Sequence, residues 1–211
     1  CNSLKNEYMM NQSQLSSLVF AMVILLWPQS SVTAQNKEKL LPFGDMNHWV
    51  IRNISESAVI GGNTKTLYEV GPNQTINGNK PYKNAGNSPW GTSNVMAKVM
   101  GVVKTNCSVT RDKHANGYCA KLTTHIEHVK VLGLMNINVL AAGSLFLGSM
   151  TEPITSTKDG PKSLNWGIPF TERPKAIKYD YRVAVSGEKN RIKQNGSSKP
   201  SSVPGQDYAI T

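Results

Sequence analysis

The sequence has few cysteines, few aromatic residues and few acidic residues. Its 211 residues include 3 cysteines, 7% aromatic residues and 13 acidic residues against 23 lysines and arginines. So few cysteines exclude a disulfide-dense scaffold. Beyond residue 34 no apolar run approaches the roughly 20 residues of a membrane span, and no stretch shows the capped, 3.6-residue period of a long helix. There is also no glycine-rich phosphate loop and no nucleophile elbow.

The N-terminal region has the pattern of a secretory signal peptide. Residues 15–27 are an apolar run that ends before Pro28, and residues 32–34 supply small side chains before a cleavage site at Gln35. We therefore expect a leader over residues 1–34, of which residues 1–8 lie upstream of the true start. The mature chain is then exported, to the periplasm or the outer cell surface.

The rest of the chain shows the period-2 alternation and the turn residues of β-strands. Trp49, in the first of these segments, is expected in the core. Residues 71–91 are rich in Gly, Asn and Pro and are predicted to form a long surface loop. The predicted strands cover residues 49–54, 65–70, 95–104, 117–127, 137–146 and 177–185.

The chain contains an ordered series of short motifs, which are Gly44-Asp45, Trp49, Ser88-Pro89-Trp90, Ser93-Asn94, residues 143–148, residues 167–170, Arg173-Pro174 and residues 179–181. This series resembles the putative carbohydrate metabolism domain family of secreted bacterial proteins. The resemblance spans residues 41–211 and implies a jelly-roll-like β-sandwich associated with glycan-handling systems, including partner proteins for glycan uptake. It supplies no catalytic residues that can be carried over to this chain.

The predicted fold is therefore all-β, a jelly-roll-like antiparallel β-sandwich. Residues 35–211 are expected to form the N-terminal portion of a single domain, because the domain of the resembled family continues further. A jelly roll has eight strands in two sheets, and about six or seven strand candidates are present here. The sandwich is thus expected to be incomplete at its C-terminus.

The net charge of +10 bears on the partner. The basic residues are scattered and accompany no recognised nucleic-acid-binding motif, so nucleic acid is not expected as a partner. An acidic glycan surface would attract a basic protein. The alternative is that the lysines and arginines only solvate exposed strand faces and a polar tail.

Four residues are candidates for carbohydrate binding. Trp90 and Trp166 lie among Gly, Pro and Asn residues, and an indole face stacks on the apolar face of a sugar ring. Asn94 could exchange hydrogen bonds with hydroxyl groups, and Arg173 could grip a carboxylate or a pair of hydroxyls. The structural alternatives are that the tryptophans close the end of the core and that Arg173 pins a loop through backbone carbonyls.

Cysteine, histidine and acidic residues give weaker signals. Cys107 and Cys119 could form a disulfide worth about 3 kcal/mol, or be two buried thiols. The segment 125–128 contains two histidines and a glutamate, but a strand directs only two of them to one face, so no metal is expected. No other cofactor is expected either. The loop and strand carboxylates, Asp45, Glu127, Glu152, Glu172 and Asp180, cannot be paired across a cleft from sequence.

Three functional hypotheses remain at this point. The first is a secreted, non-catalytic β-sandwich that binds a glycan, either neutral or acidic. The second is a glycoside hydrolase with paired carboxylates. The third is a structural or adhesion module whose basic surface contacts acidic polymers, and it predicts salt-sensitive binding that does not depend on the tryptophans.

Overall fold

The chain folds almost entirely into β-strands, in a computed structural model that describes residues 38–131, 135–156, 160–195 and 198–206. The predicted leader therefore lies outside the described residues. Within the described ranges there is no α-helix, only short 3-10 helices, and no helix there is long and apolar enough to cross a membrane. The 3-10 helices are Ala58–Ile60, Ala85–Asn87 and Pro161–Ser163.

The strands pair mainly in antiparallel fashion, and the predicted all-β, antiparallel sandwich class is confirmed. The strands are β1 (Trp49–Ser55), β2 (Thr64–Val70), β3 (Gln74–Asn77), β4 (Trp90–Thr92), β5 (Val95–Val99), β6 (Val102–Asn106), β7 (Val109–His114), β8 (Gly117–Leu122), β9 (His125–Val131), β10 (Met135–Ala141), β11 (Leu145–Met150), β12 (Leu164–Trp166), β13 (Asn190–Lys193) and β14 (Ser201–Pro204).

Strands β1 and β2 form the centre of the core. They pair in antiparallel register from Trp49 opposite Val70 to Ser55 opposite Thr64, and β3 adds a parallel strand on the other side of β1. Both strands agree with the prediction, and so does the burial of Trp49, whose indole N–H donates to the carbonyl of Met46 at 2.7 Å.

Apolar side chains of these strands build two clusters. Because side chains alternate between the faces of a strand, β1 and β2 contribute to both. The first cluster consists of Trp49, Val70 and Val109, and the second of Ile54, Leu67 and Met96. Strands β4, β7 and β8 therefore cover one part of the core, while β5 and β6 cover the other.

A second three-stranded sheet, in the order β12-β11-β4, lies next to the loop that precedes β4. Two glycines permit its close packing. A Cβ atom on Gly91 would lie 2.7 Å from the ring of Phe146, and a Cβ on Gly148 would lie 2.1 Å from the carbonyl oxygen of Asn165. Gly148 also has a φ of 142°, which side chains rarely adopt. Strand β12 is the edge of this sheet.

Three of the predicted strands are each broken in two. Residues 95–104 form β5 and β6, because Met100 and Gly101 adopt positive φ angles and turn the chain. Residues 117–127 are divided between β8 and β9, where the N–H of Thr123 donates to Ser108 at 2.8 Å. Residues 137–146 are interrupted at Gly143, which packs directly on backbone atoms of Ser108 and Thr123. The sequence pattern correctly indicates strands in these three segments, but the positions at which the strands are interrupted depend on contacts with residues distant in the sequence.

The predicted strand over residues 177–185 is wrong as a paired strand. The structure assigns no strand between residues 167 and 189, and the alternating apolar side chains are exposed, from 47% at Val183 to 81% at Ile177. The predicted loop over residues 71–91 also differs, since it contains β3 and the first residues of β4. Alternation alone does not supply the neighbouring strand that a sheet requires.

Candidate functional site

Trp90 lies at the edge of the first core cluster. Its side chain is half-buried and packs against that cluster, and its indole N–H donates to the carbonyl of Pro42 at 2.8 Å. This geometry matches the alternative in which the indole closes the end of the core. A sugar would therefore meet only part of the ring, and its N–H is already bonded.

Asn94 is 2% exposed and joins three segments of the fold. Its Nδ2 donates to the carbonyls of Tyr68 and Val109 at 2.6 and 2.7 Å. Its Oδ1 accepts from the N–H groups of Ser108 and Val109, both at 2.9 Å. Because all four bonds are internal, the side chain holds β2, the β4–β5 turn and β7 together, and it has no polar group directed to solvent.

Trp166 is the most exposed of the candidate aromatic residues, with 66% of its surface accessible. It ends β12 opposite Gly148 and packs against Phe146 in a tilted arrangement, with ring centroids 4.6 Å apart and an interplanar angle of 50°. Phe146 in turn lies over Gly91. We call Phe146 and Trp166 the aromatic ledge. The Phe146 ring is fixed by packing against Gly91, and the exposed indole of Trp166 is available to a ligand.

A groove of about 510 Å³ lies beside strands β11 and β12. Gly148, the cross-strand partner of Trp166, lines this groove, as do Asn165 and Gly167 on either side of Trp166 in the sequence. The groove residues are Pro81, Tyr82, Lys83, Asn84, Gly148, Ser149, Met150, Thr151, Glu152, Asn165, Gly167 and Ile168. Trp166 itself does not line the groove, because side chains alternate along a strand and its indole lies on the face of β12 opposite to the Asn165 side chain. The ledge and the groove are therefore separated by the edge strand β12.

The polar groups of the groove are held in place by bonds to its walls. The amide of Asn84 donates to the carbonyls of Trp90 and Gly148, at 3.1 and 2.9 Å, and the amide of Asn165 donates to Thr151 at 3.0 Å. The Oδ1 atoms of both asparagines have no hydrogen-bond partner in the described part of the chain. The groove thus offers fixed acceptors and hydroxyl groups beside the apolar surfaces of Pro81 and Ile168.

A buried ionic cluster lies next to the groove. The Arg52 guanidinium donates from Nη1 to Glu69 at 2.9 Å and to Glu152 at 3.0 Å, and Nη2 contacts the second oxygen of Glu152. The side chains of Arg52 and Glu152 are each 2% exposed. Glu152 also accepts from the N–H groups of Tyr82 and Met96, at 2.9 and 2.8 Å, and Arg52 lies 4.9 Å from the centroid of the Tyr82 ring. The cluster therefore anchors the groove wall to β1 and β5.

The electrostatics of this cluster follow from two carboxylates sharing one guanidinium. Burial raises the pKa of Glu69 to about 7, although Arg52 and the Thr92 hydroxyl act in the opposite direction, and the nearby charge of Glu152 adds to the rise. Burial opposes the charge on Arg52, but Glu152 and Glu69 hold its pKa above the ordinary value.

These carboxylates do not form the pair that glycoside hydrolysis uses. Glu152 is the acidic residue among the described groove residues, and each of its oxygens already accepts two hydrogen bonds. Glu69 is buried beneath it, bonded to Arg52 and Thr92. The oxygens of both carboxylates are engaged in these internal bonds, so the cluster serves as a scaffold for the groove.

Arg173 is exposed and does not line the groove. Among the described residues it forms no hydrogen bond or ion pair, either with Trp90, Asn94 and Trp166 or with any other side chain.

Cys107 and Cys119, for which the sequence left a disulfide and two thiols as alternatives, are both free thiols in the structure. Tyr118 and Ala120 pack on the first core cluster, so Cys119, between them on β8, is directed to the other face, whereas Cys107 packs on the second cluster. Burial raises the pKa of Cys107 to about 11. In segment 125–128, His125 contacts Glu127 at 3.3 Å while His128 bonds to Asn138 at 2.7 Å. No group of three metal-binding side chains exists among the described residues.

Sequence reasoning missed most of the groove. Tyr82 falls within the predicted loop over residues 71–91, and Glu152 is one of the carboxylates that sequence cannot pair. Lys83, Asn84 and Asn165 belong to no motif that indicates binding. Arg52 and Glu152 are 100 residues apart, and no local pattern reveals such a contact.

Comparison with known proteins identifies the family. The model of the family described as "Putative carbohydrate metabolism domain" matches residues 63–207. No curated protein and no solved structure matches the chain. The matched residues include β2 to β14, and with them the aromatic ledge and the groove. The chain therefore belongs to the family described as "Putative carbohydrate metabolism domain".

Proposed function

We propose that this protein binds a glycan at the aromatic ledge and the adjoining groove. The family match gives a carbohydrate-related role. The observation that carries the finer proposal is the exposed indole of Trp166, supported from beneath by Phe146 and placed beside a polar groove.

The ledge supplies a surface for a sugar ring. An exposed aromatic side chain costs free energy in water unless a ligand covers it, and the C–H face of a pyranose is a suitable cover. Trp166 needs no rearrangement to accept it, because Phe146 already restricts one side of the indole. Little conformational entropy is then lost on binding.

The groove supplies the polar contacts. The oxygens of Asn84 and Asn165 accept hydrogen bonds, and Ser149 and Thr151 carry hydroxyls that both donate and accept. Pro81, Tyr82 and Ile168 provide apolar walls. Most ligand pockets combine such walls with a few fixed polar groups. An oligosaccharide that stacks on Trp166 reaches these groups by crossing the edge of β12.

The experiment is a glycan-array screen followed by calorimetry on the wild type and on Trp166→Ala. We expect the substitution to reduce affinity at least tenfold for every glycan that binds, and Trp166→Phe to retain part of it. Tyr179→Ala is the matched control, because Tyr179 is 61% exposed and lies outside the ledge and groove. Equal losses in both alanine variants, or an unchanged affinity in Trp166→Ala, would refute the proposal.

We also propose that the protein acts outside the cytoplasm, in a glycan-uptake system. The support is the signal-peptide pattern of residues 1–34 together with the family. Mass spectrometry of the protein from its native cells should find an N-terminus at Gln35. An N-terminus that retains residues 15–27 would contradict export by cleavage.

A further inference from the structure

We infer that the groove binds an acidic saccharide, whose carboxylate pairs with Lys83. This inference rests on the proposed function, since it assigns the chemical class of the glycan that occupies the same site.

The charge balance of the groove is the first argument. Its lining contains two charged side chains, Lys83 and Glu152. The carboxylate of Glu152 is 2% exposed and is compensated by Arg52 at hydrogen-bond distance. Lys83 is exposed and forms no ion pair within the described ranges. The uncompensated charge that a ligand meets in the groove is therefore positive.

The buried cluster does not cancel this charge. Arg52 faces two carboxylates, Glu69 and Glu152, and burial favours the protonated form of Glu69. Below about pH 7, where Glu69 keeps its proton, the three side chains together are close to neutral. The field in the groove is then set by Lys83 and by the general excess of positive charge, +10 over the chain.

The composition of the groove lining favours a sugar carboxylate over a phosphate. A phosphate group carries up to two charges and usually requires several donors, such as arginine forks or consecutive backbone N–H groups. The lining of this groove offers one ammonium group, together with the neutral oxygens of Asn84, Asn165 and Thr151. One ammonium with neutral hydrogen-bonding groups and apolar walls suits a singly charged sugar with several hydroxyls.

The test compares an oligouronide with its carboxyl-reduced, neutral form, measured by calorimetry at low salt. A partly exposed ion pair contributes up to about 1 kcal/mol, so the wild type should prefer the acidic form by about threefold to fivefold. Lys83→Met should remove this preference, so that the acidic and the neutral forms bind with equal affinity. Lys83→Arg should keep it. Raising the salt concentration should weaken the preference, because screening acts on this pair.

Two further variants separate this inference from the proposed function. Lys113→Met, on the β7–β8 hairpin outside the groove, is the matched charge control and should keep the preference. Trp166→Ala should weaken the acidic and the neutral forms by the same factor. Equal affinity of the wild type for both forms, or a preference that persists in Lys83→Met, would overturn the inference while leaving glycan binding intact. If neither form nor any other glycan binds to folded protein, both proposals fail.

Discussion

Replacement of Glu69 by glutamine should raise the stability of the protein at neutral and alkaline pH. The Glu69 side chain is 4% exposed, and its oxygens contact Arg52 at 2.9 Å and the Thr92 hydroxyl at 2.6 Å. Burial raises its pKa from the ordinary value of 4.5 to about 7. The main cause is the loss of water around the buried carboxylate, which Arg52 and the Thr92 hydroxyl offset only in part, and the charge of Glu152 adds a smaller rise.

The direction of the change in stability with pH follows from proton binding by Glu69. Between pH 4.5 and about pH 7 the folded state holds a proton on Glu69 that the unfolded state has released. The contribution of Glu69 to stability is therefore complete below pH 4.5 and is lost as the pH rises through about 7. A pKa displaced by this amount corresponds to at most about 3 kcal/mol. Glutamine keeps the shape and the hydrogen bonds of the protonated acid, and it has no proton to lose.

The assay is urea denaturation of the wild type and of Glu69→Gln between about pH 5 and pH 8. The two proteins should be closest in stability at the acidic end, and the variant should gain progressively as the pH rises. The difference between them isolates Glu69, because the other titratable groups are common to both. Glu188→Gln, at an exposed site, is the control and should follow the wild type at every pH. Parallel curves for the wild type and Glu69→Gln, or a variant that is less stable at pH 8, would refute the reasoning.

Three further predictions concern the scaffold. Gly148→Ala should destabilise the β11–β12 pair by about 2 kcal/mol or more, since the new Cβ would lie 2.1 Å from the Asn165 oxygen, as urea denaturation will show. Asn94→Ala should cost about 3 kcal/mol in the same assay, because four buried backbone groups lose their partner, whereas a glycan-binding role alone would leave stability unchanged. Alkylation without reductant should label both Cys107 and Cys119, and Cys107 more slowly because its pKa is raised to about 11; a peptide map with a bond between them would contradict this.

Local sequence patterns determined the parts of the fold that depend on nearest neighbours. The alternation in residues 49–54 and 65–70 predicted β1 and β2, and the burial of Trp49 followed from its place in the first strand. Because no predicted segment has the 3.6-residue period of a long helix, the sequence indicated the all-β class that the structure shows. The motif series was also sufficient to indicate the family.

Only the tertiary structure decided which candidate residues are available to a ligand. Trp90 and Trp166 have similar neighbours in the sequence, yet one packs on the core and the other lies on an edge strand. Asn94 is committed to backbone groups that are 14 to 26 residues away. The contact between Arg52 and Glu152, which anchors the groove, joins residues 100 positions apart.

The physical reason is the range of the interactions. Whether a strand has two faces depends on the period of its own side chains, and a single chain segment carries that information. Whether an indole is covered, a carboxylate neutralised or an amide satisfied depends on which distant segments pack beside it. The sequence by itself therefore determined that this chain forms strands with apolar faces. Tertiary packing decided that Trp166 and the groove with Lys83, and not Trp90 and Asn94, face the solvent.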